Sequence, residues 1–415
     1  MAKKNSNGVA PEVGPIVGEC SGGAVRIVVA GRQVDCQKYE GIAAVYLMHV
    51  CVSSKTFRLH ADFDRTGLVV FTGLTRTMQY HYRAGVRKKG SKNSVQQDLM
   101  SLPLYSFTVH AADTTIPCNI NLFSNRFVGE QGLFLRQSER GVKTLIDHKT
   151  SADINIFCGG TVHEDPDLPL TRVYRQVLTS PAIRNILANV PSLMSPGQTD
   201  LDISDFRKQY LSHRAYQSYQ ALHAPLMELN DKGVPVDFPT HWYYQYCVGC
   251  CSFFVTDTIT ERLPNTIMSL EQQQAIVSFL TSTEDKGVRC IVMSQPFMGD
   301  GGLAKVYHRQ QNAIMDAMAK SPHPVVLLCG STNGSRVDSY QLNNTNKMIH
   351  QVCVGSMFKP FNEQTQRMPD IVGRVSVMPS NYHNTVTRCS VSPEELTIEL
   401  FGRKGGDPQT VTINL

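Results

Sequence analysis

Apolar and polar side chains alternate in short runs through the first hundred or so residues. Ala24 to Val29, Val45 to Val50, Thr56 to His60 and Gln79 to Val86 are such runs, with Gly, Asn and Asp between them. A period of two interrupted by turn formers predicts antiparallel strands with one face buried. Several in succession predict a β-sandwich of the immunoglobulin or fibronectin type. Lys88 to Asn93 reads as the tip of a long hairpin, and Leu104 to Val109 as a strand leading out of this domain.

The pattern changes from about Ile116. Asn155 to Cys158 is a short apolar strand ending in Gly159-Gly160, while Thr171 to Leu187 and Asp205 to Leu222 have helical spacing. Val248 to Val255 reads as one continuous buried strand. Ser269 then caps a helix reaching Leu280, with Gln272 at the capping-box position. Arg289 to Met293 and Pro324 to Gly330 are further apolar strands, separated by a helix from about Val306 to Ala319, and alternation returns between Arg374 and Phe401. Strands alternating with helices predict an α/β layer domain whose chemistry sits on the strand-end loops. The division that follows is a flexible N-terminus over 1–10, a β-sandwich over 11–112 and an α/β domain over 113–415.

Composition adds limits rather than a function. Of the 415 residues 41% are hydrophobic and 18% charged, which is enough apolar material for two cores, and a formal charge of +5 gives no strong nucleic-acid signal. Arg87, Lys88, Lys89 and Lys92 form the one dense basic run. It reads as a solvated loop, with Lys88, Lys89 and Lys92 as candidate contacts to a protein partner. Among twelve cysteines, Cys158, Cys247, Cys329 and Cys353 lie inside apolar runs, as core thiols do. Cys247, Cys250 and Cys251 resemble half a zinc site whose other half is missing. Trp242, Tyr243, Tyr244 and Tyr246 read as core aromatics or, alternatively, a stacking surface. The polar stretch Met1 to Gly8 has no apolar signal region, and no run approaches the ~18 residues of a membrane helix, so a cytoplasmic protein without a membrane span is expected.

The order of the segments resembles the alkaline phosphatase D (PhoD-like) branch of the metallophosphatases. Gly14 to Gly18 with Ala24 to Ile27 looks like that family's entry to its N-terminal β domain, and Gly73-Leu74 with Tyr80 to Arg83 like the closing strand of that domain. Ser124-Asn125-Arg126 resembles its first strand-end turn, and Tyr174 to Pro191 the helix that leads to its "DDHE" motif. Phe253 to Arg262 resembles "F.VLDTR..R", and Ser269 to Gln273 the helix written "L...Q…L..WL". For the second domain the resemblance implies two central sheets flanked by helices and a di-metal phosphoesterase site.

That site needs a bridging carboxylate and several Asp, Asn and His ligands around two cations. The chain departs from it at each motif. Where "GGDxxYxD" asks for an Asp after the glycines, Thr161 follows Gly160; Ser195-Pro196-Gly197-Gln198 stands where "DDHE" is implied; and Ser331 and Asn333 replace the Asp and His of "GDxHxS". Neutral hydroxyls and amides offset the charge of divalent cations poorly. The resulting expectation is a degenerate, non-catalytic member without a cofactor, acting as a binding or structural protein. The alternative is an active phosphodiesterase or phosphomonoesterase with rewired ligands. For residual metal or phosphate binding the candidates are Asn125, His163 and Asp165, near Glu164, Asp167, Asp200, Asp202 and Asp205. Met298 to Gly302 resembles a glycine-rich phosphate cradle but lacks the Lys-Ser/Thr that completes one, and reads as a flexible loop.

Overall fold

A computed structural model describes residues 7–32, 35–124, 142–143, 152–162, 168–201, 206–226, 241–284, 287–299, 308–330, 335–342, 346–355, 374–378, 386–401 and 407–415. The chain divides into two compact units. The first holds Met1–Ala111, Asp165–Leu193 and Ile203–Thr240, and the second Ala112–Glu164, Met194–Asp202 and His241–Leu415.

In the first unit the alternating runs form two antiparallel sheets. β1 (Val13–Val17), β2 (Val25–Ala30) and β5 (Thr66–Phe71) make one, in the order β1-β2-β5. β3 (Tyr39–Leu47), β4 (Val50–Phe57), β6 (Gln79–Lys88) and β7 (Tyr105–Thr108) make the other, in the order β4-β3-β6-β7. Ile27, Val29, Val69 and Phe71 from one sheet share a buried cluster with Ala43, Val45, Tyr82 and Phe107 from the other, which is the sandwich core expected of period-two strands. α1 (Val95–Leu99) covers the outer face of β3, where Leu99 and Leu102 meet Ile42 and Ala44. α2 (Leu170–Leu178), α3 (Pro181–Asn189) and α4 (Phe206–Tyr216), which continues as a π-turn over Gln217–Ala221, also pack in this unit. Tyr82 donates its hydroxyl to the Ala188 carbonyl at 2.7 Å, and the Ser106 N–H donates to Asn189 Oδ1 at 3.0 Å.

The second unit has two larger sheets. One runs β9-β8-β18-β19-β20, from β8 (Cys118–Phe123), β9 (Ile154–Cys158), β18 (Val386–Val391), β19 (Glu395–Phe401) and β20 (Gln409–Asn414), with the end of β10 (Ser192–Ser195) beside β9. The other runs β11-β12-β13-β14-β16-β15-β17. Its strands are β11 (Tyr244–Val248), β12 (Cys251–Val255), β13 (Val288–Met293), β14 (Val325–Gly330), β15 (Arg336–Gln341), β16 (Met348–Val354) and β17 (Arg374–Met378). β12, β13, β14 and β16 are mutually parallel and buried on both faces, hence their unbroken apolar runs. α5 (Leu270–Thr281) and α6 (His308–Lys320) cover one face: Ile276, Leu280, Ile314 and Met318 pack on Phe254, Ile291 and Leu327. All twelve cysteines are free thiols, and Cys158, Cys329 and Cys353 are fully buried, with Cys329 and Cys353 in register on β14 and β16. Trp242, Tyr244 and Tyr246 are buried. Among the described residues no helix is long and apolar enough to cross a membrane.

Several expected elements divide differently. Val45 to Val50 is not one strand, because the chain reverses at Met48 and His49, both in left-handed conformation (φ 47° and 68°). Val248 to Val255 is not one strand but the end of β11, a turn at Gly249-Cys250 and the antiparallel β12. The helix expected over Thr171 to Leu187 is two, parted where Pro181 starts α3. Lys88 to Asn93 is no hairpin tip; it leads into α1, whose capping box is Ser94 with Gln97. Ser269 caps α5 as expected, but the Gln272 side chain turns to Asp257 and Glu261 instead of closing a capping box. Arg87 is not part of a solvated run. It is 8% exposed and ion-paired with Glu40 at 2.9 Å and Asp98 at 3.1 Å.

Candidate functional site

Parallel strands bring their carboxyl ends to one edge of a sheet, so the loops after β9, β12 and β13 are where side chains from distant parts of this chain meet. After β9 the chain turns sharply through Gly159 (φ 75°) and Gly160 (φ 66°). A Cβ at Gly159 would lie 2.6 Å from Ser294 Cβ, and one at Gly197 only 2.0 Å from the Gly160 nitrogen. The turn after β9 and the segment after β10 therefore pack backbone against backbone, closer than a side chain permits, with Ser294 at the end of β13 against them.

One carboxylate organises this contact. Asp200 is fully buried and accepts three main-chain N–H bonds, from Gly160 at 2.9 Å, Val162 at 2.9 Å and Gly197 at 3.0 Å. Its own N–H donates to the Gly197 carbonyl at 3.0 Å, closing the turn that aims the side chain inward. The carboxylate thus bridges the two segments that the metallophosphatase resemblance assigns to metal ligands. Thr161, at the implied bridging position, is 2% exposed. Ser195 is buried and donates its hydroxyl to the Thr256 carbonyl at 3.0 Å, whereas Gln198 is exposed.

The loop after β12 is held in the same manner. Asp257 accepts the N–H groups of Ile259 at 3.0 Å and Thr260 at 2.8 Å, and the Thr260 hydroxyl. Burial pushes its carboxyl above the usual range, against the lowering by the Thr260 and Ile259 hydrogen bonds. Gln272 exchanges two bonds with the Asp257 main chain, both 2.9 Å, and so fixes the loop to α5. Thr258 and Ser294 share a hydroxyl–hydroxyl bond of 3.1 Å.

Thr161 and Ser195 are thus both buried, while Gln198 faces solvent. Ser331, Asn333, Asn125, His163 and Asp165 lie outside the described residues, as do Glu164, Asp167, Asp202 and Asp205. Among the described residues no three His, Cys, Asp or Glu side chains are grouped to hold a metal ion. Among the described residues of these turns, the Asp200 carboxylate is committed to N–H donors, whose positive ends oppose a cation. The sequence offered Asp200 only as a possible metal ligand; that it accepts main-chain N–H groups and ties the turns together was missed. Its one signal is the spacing Gly197-x-x-Asp200, a turn in which a short carboxylate can fold back on main-chain N–H groups. Lys88, Lys89 and Lys92 are exposed in the first unit, where Lys89 Nζ donates to the Cys36 carbonyl at 3.0 Å.

No protein-family model matches the chain, and no curated protein does. Solved structures do. The structure of PhoD superposes with a TM-score of 0.74 over 98% of this chain and 90% of that one, at 14% identity. A dimetal phosphatase from Danio rerio matches 71% of this chain and 98% of its own, at 10% identity and a TM-score of 0.43, too loose a superposition to carry an argument. Identity this low establishes architecture alone. By that measure the chain has the fold of PhoD, an N-terminal β domain joined to a metallophosphatase-type α/β domain.

Proposed function

We propose that this protein is a non-catalytic metallophosphatase-fold protein that acts by binding a protein partner. The observation that carries the reading is Asp200. At a strand end where the resemblance implies a cation-bridging carboxylate, the chain has Thr161, and the neighbouring buried carboxylate is taken up by the N–H groups of Gly160, Val162 and Gly197. A carboxylate accepting three N–H bonds supports a turn; it has little left to neutralise a divalent ion. Lys88, Lys89 and Lys92 supply an exposed basic edge for an acidic partner, of the kind that governs association rate and salt dependence.

Elemental analysis of protein purified without chelator tests the first part, together with hydrolysis of a generic phosphodiester and phosphomonoester. Fewer than one transition-metal ion per chain and no turnover are expected. Two tightly held ions with turnover would make the protein a phosphoesterase with replacement ligands, with Asn125, His163 and Asp165 the first to substitute.

A further inference from the structure

The first unit contains a groove that neither the β-sandwich nor the strand-end chemistry requires. Two cavities of about 570 Å³ and 480 Å³ share Glu12 and Thr179 along their walls, and all their lining residues belong to this unit. Five arginines line the pair, Arg65, Arg172 and Arg175 in one and Arg32 and Arg184 in the other, against two carboxylates, Glu12 and Asp64. Five positive and two negative charges leave a net +3.

The carboxylates are already engaged. Asp64 accepts Arg65 Nη2 at 2.7 Å, Arg175 Nε at 2.7 Å and the Tyr219 hydroxyl, and Glu12 accepts Arg175 Nη1. Arg175 is thereby neutralised and acts as a strut from α2 to the loop before β5. Arg32, Arg172 and Arg184 have no carboxylate partner among the described residues; Arg32 and Arg172 are exposed, and Arg184 is steered by donating Nη2 to the Pro11 carbonyl at 3.0 Å. The Asp64-Arg65 turn that carries two of the lining residues is fixed by the Arg65 N–H donating to the His60 carbonyl at 2.9 Å.

We infer that the groove binds a small polar molecule carrying a diphosphate or two nearby phosphoryl groups. A phosphoryl group offers several oxygens and up to two charges to more than one guanidinium at once, whereas a single carboxylate satisfies one fork. Cavities of this size hold ligands up to that of a nucleotide, and Thr171, Gln176 and Thr179 supply neutral polar contacts. The inference stands whether or not the second unit holds a metal.

Titration calorimetry of the full chain with pyrophosphate at low ionic strength tests it, with citrate as the carboxylate counterpart. Saturable binding of pyrophosphate is expected, weakened about tenfold by Arg172→Gln and by Arg184→Gln. It should be unchanged in a Lys88→Gln, Lys89→Gln variant, which removes twice the charge of either arginine variant elsewhere in the unit. If Arg184→Gln disturbs the Pro11 contact enough to unfold the unit, Arg172→Gln and Arg32→Gln carry the test, since both side chains are exposed. No saturable heat, or equal weakening by the lysine variant, overturns the site; citrate binding as tightly as pyrophosphate overturns the phosphoryl assignment.

Discussion

Asp64 in the first unit and Asp257 in the second are shielded carboxylates whose surroundings push them in opposite directions. Burial raises both. At Asp64 the hydrogen bonds and charge of Arg175 and the Tyr219 hydroxyl outweigh it, so the carboxyl sits below its ordinary range. At Asp257 N–H dipoles and a hydroxyl do not outweigh it, and the carboxyl sits above. Guanidinium groups make one unit a place where negative charge is favoured. At the strand ends of the other, Asp200 and Asp257 are held by main-chain N–H groups whose orientation serves the turns, while elsewhere in that unit Asp338 is paired with Arg336 at 2.9 Å. The two aspartates thus differ in what faces the carboxylate, a guanidinium and a phenol at Asp64 and main-chain N–H groups with a hydroxyl at Asp257.

The strongest way to break this comparison is Asp200→Asn. Its amide NH₂ would confront N–H donors, leaving at least one buried donor unsatisfied, at a cost of about 3 kcal/mol. Urea unfolding followed by the fluorescence of Trp242, the one tryptophan, reads the second unit directly. A loss below about 1 kcal/mol means that the carboxylate does not organise the turn.

Acidification should separate the units next. His223 is fully buried in the first unit, and burial pushes its ring from 6.5 down to about 4. The unfolded chain takes up that proton first, so up to about 3 kcal/mol of stability, present above pH 6.5, is lost as the pH falls towards about 4. Asp64, lowered in the fold, adds a further loss below its unfolded value of 3.8. Asp257, raised in the fold, acts oppositely: its contribution is present below 3.8 and disappears as the pH rises through its folded value. Hydrogen exchange corrected for intrinsic rates should therefore show the first unit opening more readily at pH 4.5 than at pH 7, by the larger factor of the two units. Equal loosening in both contradicts the assignment.

The smallest effect sharpens the comparison inside the groove. Arg175→Met removes the strut shared by Asp64 and Glu12 and should cost about 2 kcal/mol, while Arg172→Gln, exposed and without a carboxylate, should stay within about 0.5 kcal/mol by chemical denaturation.

Much of the fold was legible because burial on both faces leaves continuous apolar runs. β13 and β14 fall within one residue of where the sequence places them. The turn at Met48-His49 was not, since neither residue type announces a left-handed conformation, and the turn at Gly249-Cys250 was hidden by apolar neighbours on both sides. Pro181 did announce a break, which the helical spacing on either side of it masked. At the strand ends the glycine pair and the substitution at Thr161 were readable. Asp200 was placed near that turn as a possible metal ligand, but its role was not legible, because its donors are main-chain groups whose side chains are irrelevant to the bond. The groove had no local signature at all. Its arginines are spread from Arg32 to Arg184 and meet only because α2 and α3 pack in the same unit as the sandwich. Conversely, the density of charge around Arg87 misled: a buried guanidinium with two carboxylates looks, in sequence, like part of a solvated run.

The thiols of the second unit carry a different consequence. Cys158 and Cys329 are pushed well above the ordinary thiol range, mainly by burial, and with Cys353 they are sealed between strands, so a small alkylating reagent meets them only when those strands part. Cys36 and Cys51 of the first unit are half-buried and need no such event. The chain thus contains its own clock: the early labels report surface access, and each late one counts openings around the strand that holds it, the parallel sheet for Cys329 and Cys353 and its neighbour for Cys158, under fully native conditions.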